Sequence, residues 1–145
     1  IPKNVWQEER MRAQDQILHN IDFVATGFDI DPKCVELTMQ NAKKAGVEKY
    51  VKVSVADVKD FKILDERALV ITNPPYGERL LDVKQAEELY KVMGNVFKAE
   101  GGKKYFVISP HDDFEKLFSR TADKRRKLYN GMIKCQYYMY FKNQK

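Results

Sequence analysis

Apolar positions along this chain come in short runs that switch between helical and strand periodicity. Residues 3 to 19 are rich in good helix formers, and Val5, Trp6, Ile17 and Leu18 give them a weak apolar face, which predicts a helix. Phe23 to Ile30 reads as a buried strand carrying an acid, Asp29, at its end. Asp31 and Pro32 come next as helix N-cap and first-turn proline. From Lys33 to Ala45, Val35, Met39 and Ala42 keep close to one helical face until Gly46 stops it. Val51 to Val55 alternates as a strand, and Ala68 to Thr72 is an apolar, β-branched run that predicts a second buried strand.

The second half of the chain continues the alternation. Ala86, Leu89, Tyr90, Met93, Val96 and Phe97 recur at helical spacing, with Gly101 and Gly102 as the stop, and these residues read as core rather than as a cofactor box. Lys104 to Ser109 is a strand closed by Pro110, and Asp112 to Ser119 a short helix. Between residues 127 and 135, Asn130-Gly131 is a strong hairpin signal, and beyond it Ile133, Cys135, Tyr137, Met139 and Phe141 alternate on one face. Strand, acid, helix and strand in this order form the second half of a nucleotide-binding α/β unit.

Composition narrows the class. The 145 residues, 43% hydrophobic and 32% charged, make one domain at most, with no internal repeat, no low-complexity run and no apolar stretch near the ~18 residues of a membrane span. A cytoplasmic protein is expected. Cys34 and Cys135 lack metal-ligand spacing and are expected as reduced core thiols, with no metal; the isolated His19 and His111 read as surface or capping residues. Residues 103 to 145 carry eleven Lys and Arg against four Asp and Glu, whereas residues 1 to 102 carry fifteen against seventeen, so the excess of +5 is C-terminal. Lys124, Arg125, Arg126 and Lys127, placed just before the hairpin, suit either a phosphate backbone or a solvated face.

The chemistry concentrates at Asn73-Pro74-Pro75-Tyr76-Gly77, directly after the strand ending at Thr72. Strand ends are where open α/β sheets bind ligands. Two prolines fix two φ angles and remove two donors, so the loop is stiff and offers the Asn73 amide, the carbonyls around Pro74 and the Tyr76 ring. An exocyclic amine is a poor nucleophile because its lone pair is delocalised into its ring. Acceptors on its N–H groups localise that pair, and in line with an activated methyl group it can react by positioning and fixed dipoles, without a strong base. Tyr76 would hold a flipped base by stacking, a role in which Phe should also serve.

Asn-Pro-Pro-Tyr resembles the motif of S-adenosylmethionine-dependent methyltransferases acting on planar amines. The longer Asn73-Pro74-Pro75-Tyr76-Gly77-Glu78-Arg79, with Leu128-Tyr129-Asn130-Gly131 and Cys135, looks like the large-subunit ribosomal RNA guanine-N2 methyltransferases of the RlmL/YpsC type, often labelled adenine-specific DNA methylases. The resemblance runs from about Gly27 to the C-terminus and implies a Rossmann-like class I α/β sheet ending in an antiparallel hairpin. It implies catalytic roles for Asn73, Pro74, Pro75 and Tyr76, a cofactor site using Asp29 on the ribose, Asp57 on the adenine amine, Ile30 beside the adenine and Asn73, and substrate contacts from Tyr76 and Arg79, to which Lys124 to Lys127 would add phosphate contacts by their charge alone. A capping role for Asp29 is the weaker alternative, since Asp31 already fills it; Asp57 can equally be read as a turn acid, and Ile30 can belong to the core.

The family's first strand and glycine-rich loop have no counterpart, since the seven glycines, at 27, 46, 77, 94, 101, 102 and 131, form no strand-linked Gly-x-Gly. Residues 1 to 145 are therefore expected to be the C-terminal part of a catalytic domain, inactive alone. In the family's strand order, three-two-one-four-five-seven-six, the missing strand leaves a gap, which predicts a dimer, association with an N-terminal part, or rearranged strands. Three functions remain open: methylation of a base amine, guanine in ribosomal RNA ahead of adenine in DNA; a non-catalytic RNA-binding remnant; and, distantly, a dinucleotide oxidoreductase.

Overall fold

In the computed structural model, residues 2–19, 21–62, 65, 67–77, 80–98 and 102–142 are described. Helix α1 (Lys3–Asp15) is shorter than the pattern predicts, and none of its residues is buried, in keeping with its weak apolar face. Strand β1 (Ala25–Asp29) leads to helix α2 (Pro32–Lys44), whose N-cap, Asp31, accepts the Lys33 N–H at 2.8 Å, with Pro32 in the first turn. Gly46 closes α2 at φ +70°, a conformation that glycine reaches without a Cβ penalty. Strand β2 (Val51–Val55) pairs parallel to β1, with Asp29 opposite Val55.

After a short 3-10 turn at Val58–Asp60 comes β3 (Leu69–Thr72), then α3 (Leu80–Val96), β4 (Lys104–Ser109), the single-turn helix α4 (Phe114–Leu117), β5 (Lys124–Asn130) and β6 (Ile133–Tyr140). The second sheet has the order β3-β4-β6-β5: β3 and β4 run parallel, and β6 lies antiparallel to both β4 and β5. Together the two sheets reproduce the order expected of a class I methyltransferase with its central strand left out. Among the described residues no strand bridges β1 and β3.

The core lies on one face of the larger sheet. Tyr90 and Met93 of α3, Phe97 just past its end, and Phe114 and Phe118 at the start and the C-cap of α4 pack on Tyr105, Val107, Tyr138 and Tyr140. Phe114 stacks on Tyr138 at 4.6 Å and Phe118 on Tyr140 at 4.9 Å, offset arrangements that add to area burial. On β6 the face bearing Tyr138 and Tyr140 is thus the deeply buried one. In the alternating set from Ile133 to Phe141, Cys135 alone is fully buried.

The opposite faces depart from expectation. β1 and β3 read as buried strands, yet Phe28, Leu69 and Ile71 are exposed, Ile71 at 71%. The reason is architectural: α2 packs on the small sheet and α3 and α4 on one face of the large, whereas Phe28 meets the Phe61 ring edge-on at 5.8 Å and remains half exposed. Cys34, expected in the core, is likewise exposed, because α2 buries Ala42 and turns the thiol outward; Cys135 is buried as expected. Lys124 to Lys127 form the first half of β5 rather than a segment before the hairpin. Among the described residues no helix is long and apolar enough to cross a membrane.

Candidate functional site

Residues 73–77 leave the C-terminal end of β3 directly. Pro74 is buried while Asn73 and Pro75 are exposed, so the loop is anchored at its first proline and presents the residues around it. The Tyr90 hydroxyl donates to the Pro75 carbonyl at 2.8 Å. Ser109 Oγ donates to the Tyr90 hydroxyl at 3.3 Å and accepts the His111 N–H at 3.2 Å. Tyr90 and Ser109 are fully buried, and this chain ties the loop to α3 and to the end of β4. Gly77 turns the chain at φ +70°, and a Cβ there would stand 2.5 Å from Val83 Cα, so no other residue lets the loop enter α3 this closely. With the Pro75 carbonyl taken, the Asn73 amide and the Pro74 carbonyl remain without partners among the described residues.

Tyr76 is held from the hairpin. Asn130 Nδ2 donates to its hydroxyl at 3.1 Å, and Cys135 Sγ lies 3.7 Å from the same oxygen. Burial pushes the Tyr76 phenol above its ordinary pKa; the Asn130 bond opposes this and the Cys135 thiol adds to it, so the ring is neutral at physiological pH. The turn explains the reach of Asn130. The two loop residues are Gly131, at φ +60°, and Met132, so glycine occupies the first central position, Asn130 pairs with Ile133 as the last rung of the ladder, and its side chain projects from the sheet.

The two acids lie at the ends of β1 and β2, joined by the Ala56 N–H donating to the Asp29 carbonyl at 3.0 Å. Asp29 Oδ1 accepts the Asp31 N–H at 2.8 Å, while its second oxygen has no partner among the described residues and is free to accept a hydroxyl hydrogen. Ile30 is 69% exposed beside it, which removes it from the core and leaves an apolar surface for a flat ring. Asp57 caps the following turn through the Lys59 N–H at 2.9 Å and ion-pairs with the Lys59 ammonium at 3.1 Å. Those contacts, the backbone one foremost, hold its carboxyl below the usual range.

Of the basic run, Arg125 is committed to Glu115, with Nη2 at 2.5 Å and Nε at 3.1 Å from the carboxylate oxygens. Lys124, Arg126 and Lys127 are exposed, and Lys127 Nζ lies 5.3 Å from the centre of the Tyr129 ring. Arg79 lies outside the described residues. His111 acts as a cap, its Nδ1 accepting the Asp113 N–H at 3.2 Å, so Nε2 carries the hydrogen it points at Glu87, 3.4 Å away. No described group of three or more His, Cys, Asp or Glu is placed to hold a metal. Sequence periodicity found Tyr90 as core but not its hydroxyl's task; the available signal was a tyrosine, rather than phenylalanine, on an otherwise apolar face. Asn130 reads from sequence as half of the hairpin signal, with no part in the site, since its partner Tyr76 is 54 residues away.

The family model for UPF0020, an RMKL-like methyltransferase domain, matches residues 1–139. The chain belongs to that family. Among curated relatives, YpsC of Bacillus subtilis, a candidate RNA methyltransferase, is 33% identical over 97% of this chain and 37% of its own length. Ribosomal RNA large subunit methyltransferase K/L of Shewanella baltica is 35% identical over 95% of this chain and 20% of its own. The chain therefore spans little more than a third of the one and a fifth of the other. A candidate methylase from Clostridium difficile 630 superposes with a TM-score of 0.89 at 39% identity, covering all of this chain and 38% of that one. SMU.472, a candidate methyltransferase solved in complex with SAH, gives 0.86 at 37% identity over 99% of this chain and 38% of that one. The fold is the Rossmann-like class I methyltransferase fold.

Proposed function

We propose that residues 1 to 145 are part of a catalytic domain that methylates an exocyclic amine of a nucleic-acid base, guanine N2 in large-subunit ribosomal RNA, in the cytoplasm. The observation that carries the reading is the loop after β3: its Pro75 carbonyl and Tyr76 hydroxyl are each hydrogen-bonded to another element, while Asn73 stands exposed with its amide unspent. The cofactor is S-adenosylmethionine, whose sulfonium, when bound, supplies an electrophilic methyl group and departs as a neutral thioether. Asp29 accepts ribose hydroxyl hydrogens, Ile30 and Asp57 flank the adenine, and the cofactor's amino-acid end is held outside these residues. The Tyr76 ring stacks on the extruded base. Asn73 Oδ1 and the Pro74 carbonyl accept the two amine hydrogens, directing the lone pair at the methyl carbon; as the new C–N bond forms, the surplus proton leaves the nitrogen for solvent. Lys124, Arg126, Lys127 and Arg79 track the phosphate backbone.

A second reading, adenine N6 in DNA, draws on a relative from Listeria monocytogenes described as a predicted N6-adenine-specific DNA methylase, 35% identical with a TM-score of 0.76. Mass spectrometry of nucleosides from a strain lacking the gene separates them. Loss of one N2-methylguanine from large-subunit RNA is expected; intact ribosomal RNA with methyladenine lost from DNA would establish the second reading instead.

A further inference from the structure

We propose that Asn130 is a positioning residue for the base site, setting the plane of the Tyr76 ring through its hydroxyl; the inference rests on the reading of Tyr76 as the stacking surface. The Tyr76 backbone is held by two prolines and by the Tyr90 bond to Pro75, so one end of the side chain is fixed. The far end is fixed by Asn130 Nδ2 at 3.1 Å and by Cys135 Sγ at 3.7 Å. Cys135 Sγ is also 3.7 Å from the Ile133 carbonyl, and its single hydrogen serves one of the two oxygens. Directed at Ile133, that hydrogen leaves the sulfur to receive the Tyr76 O–H, completing a chain from Asn130 through the phenol to the thiol and the β6 backbone. A phenol's O–H and lone pairs prefer its ring plane, so partners on both sides of the oxygen select one plane for the ring.

Register makes this possible. Asn130 lies opposite Ile133, and Leu128 opposite Cys135, so the side chains of Asn130 and Cys135 emerge from the same face of the hairpin and meet one hydroxyl. Stacking needs no hydroxyl at all. A ring held at both ends presents its face at a fixed angle and loses little freedom when a base arrives, which is how a preorganised group raises rate without a contact of its own. The hairpin thereby becomes part of the site that orients the amine toward Asn73.

The test uses the full-length protein with Asn130→Ala, Tyr76→Phe and the double variant. In single-turnover methylation of large-subunit RNA each single variant is expected to be slower by roughly 5-fold, the double no slower than either, and the cofactor Kd unchanged, as for one shared hydrogen bond. Losses that multiply in the double variant, or wild-type rates for Asn130→Ala, would overturn the proposal. A second measurement needs no activity: in protein carrying 13C-labelled tyrosine, Asn130→Ala is expected to shift and broaden the Tyr76 ring resonances. Unmoved resonances overturn the tether even if methylation is slowed. A wild-type enzyme that methylates no RNA fails the functional reading, and the resonances still decide the tether.

Discussion

Asn73 is exposed and makes no hydrogen bond to another described residue, so its removal has little to destabilise. In the full-length enzyme Asn73→Ala should lower kcat by about 100-fold, as for one lost preorganised dipole, with cofactor binding barely changed. Near-normal methylation by the purified variant would remove Asn73 from the proposed chemistry. At Tyr76 the structure alters an expectation. Stacking alone would let phenylalanine substitute freely, whereas a hydroxyl with partners on the hairpin makes Tyr76→Phe a measurable loss. Tyr76→Ala, which removes the ring as well, should weaken RNA binding by a further ~1 to 3 kcal/mol.

Elements meet at two places that carry separate predictions. Helix α3 approaches the end of α4 so closely that a Cβ on Gly94 would stand 2.2 Å from the Phe118 carbonyl oxygen and 2.7 Å from its carbon. Backbone cannot yield as a side-chain tip can, so Gly94→Ala should destabilise by about 1 to 3 kcal/mol in urea unfolding despite the better helix propensity of alanine. An unchanged midpoint would show that α4 can slide. The hairpin's cations divide by partner. Neutralising Arg126 and Lys127 should reduce the salt slope of RNA binding by about one to two, whereas Arg125→Ala, which removes the ion pair with Glu115 and leaves that carboxylate its bond from the Ala122 N–H, should register chiefly as a small loss of stability. An unchanged slope in the first variant would make that strand a solvated face.

At the scale of the whole molecule the controlling fact is the division into two sheets. The edges of β1 and β3 that would meet a common neighbour are unpaired among the described strands, and Phe28, Leu69 and Ile71 lie exposed on them. Unpaired N–H and C=O groups beside apolar side chains favour strand addition from another chain. The 145-residue chain alone should therefore associate in sedimentation; and if, as proposed, Asp29, Ile30 and Asp57 address only the ribose and adenine, it should bind S-adenosylmethionine negligibly in calorimetry. Micromolar, stoichiometric binding by a monomer would mean that another segment, such as Lys3 to His19, holds the amino-acid end.

Local rules determined much of this protein. The Asp31-Pro32 cap, the Gly46 stop, the alternation of β2 and the Asn-Pro-Pro-Tyr motif at a strand end are set by interactions within a few residues, which a sequence displays directly. Tertiary structure decided what depends on distant partners. Whether β3 is buried depends on a covering layer, not on its valine and isoleucine, and periodicity carries no information about which face is covered. The hairpin's turn fell one residue later than its Asn-Gly signal implies, because the pairing of Asn130 with Ile133 and the left-handed Gly131 fix the loop together. That single step frees Asn130 to reach Tyr76, and only the folded sheet, by bringing the hairpin against a loop 54 residues earlier, gives the reach a purpose.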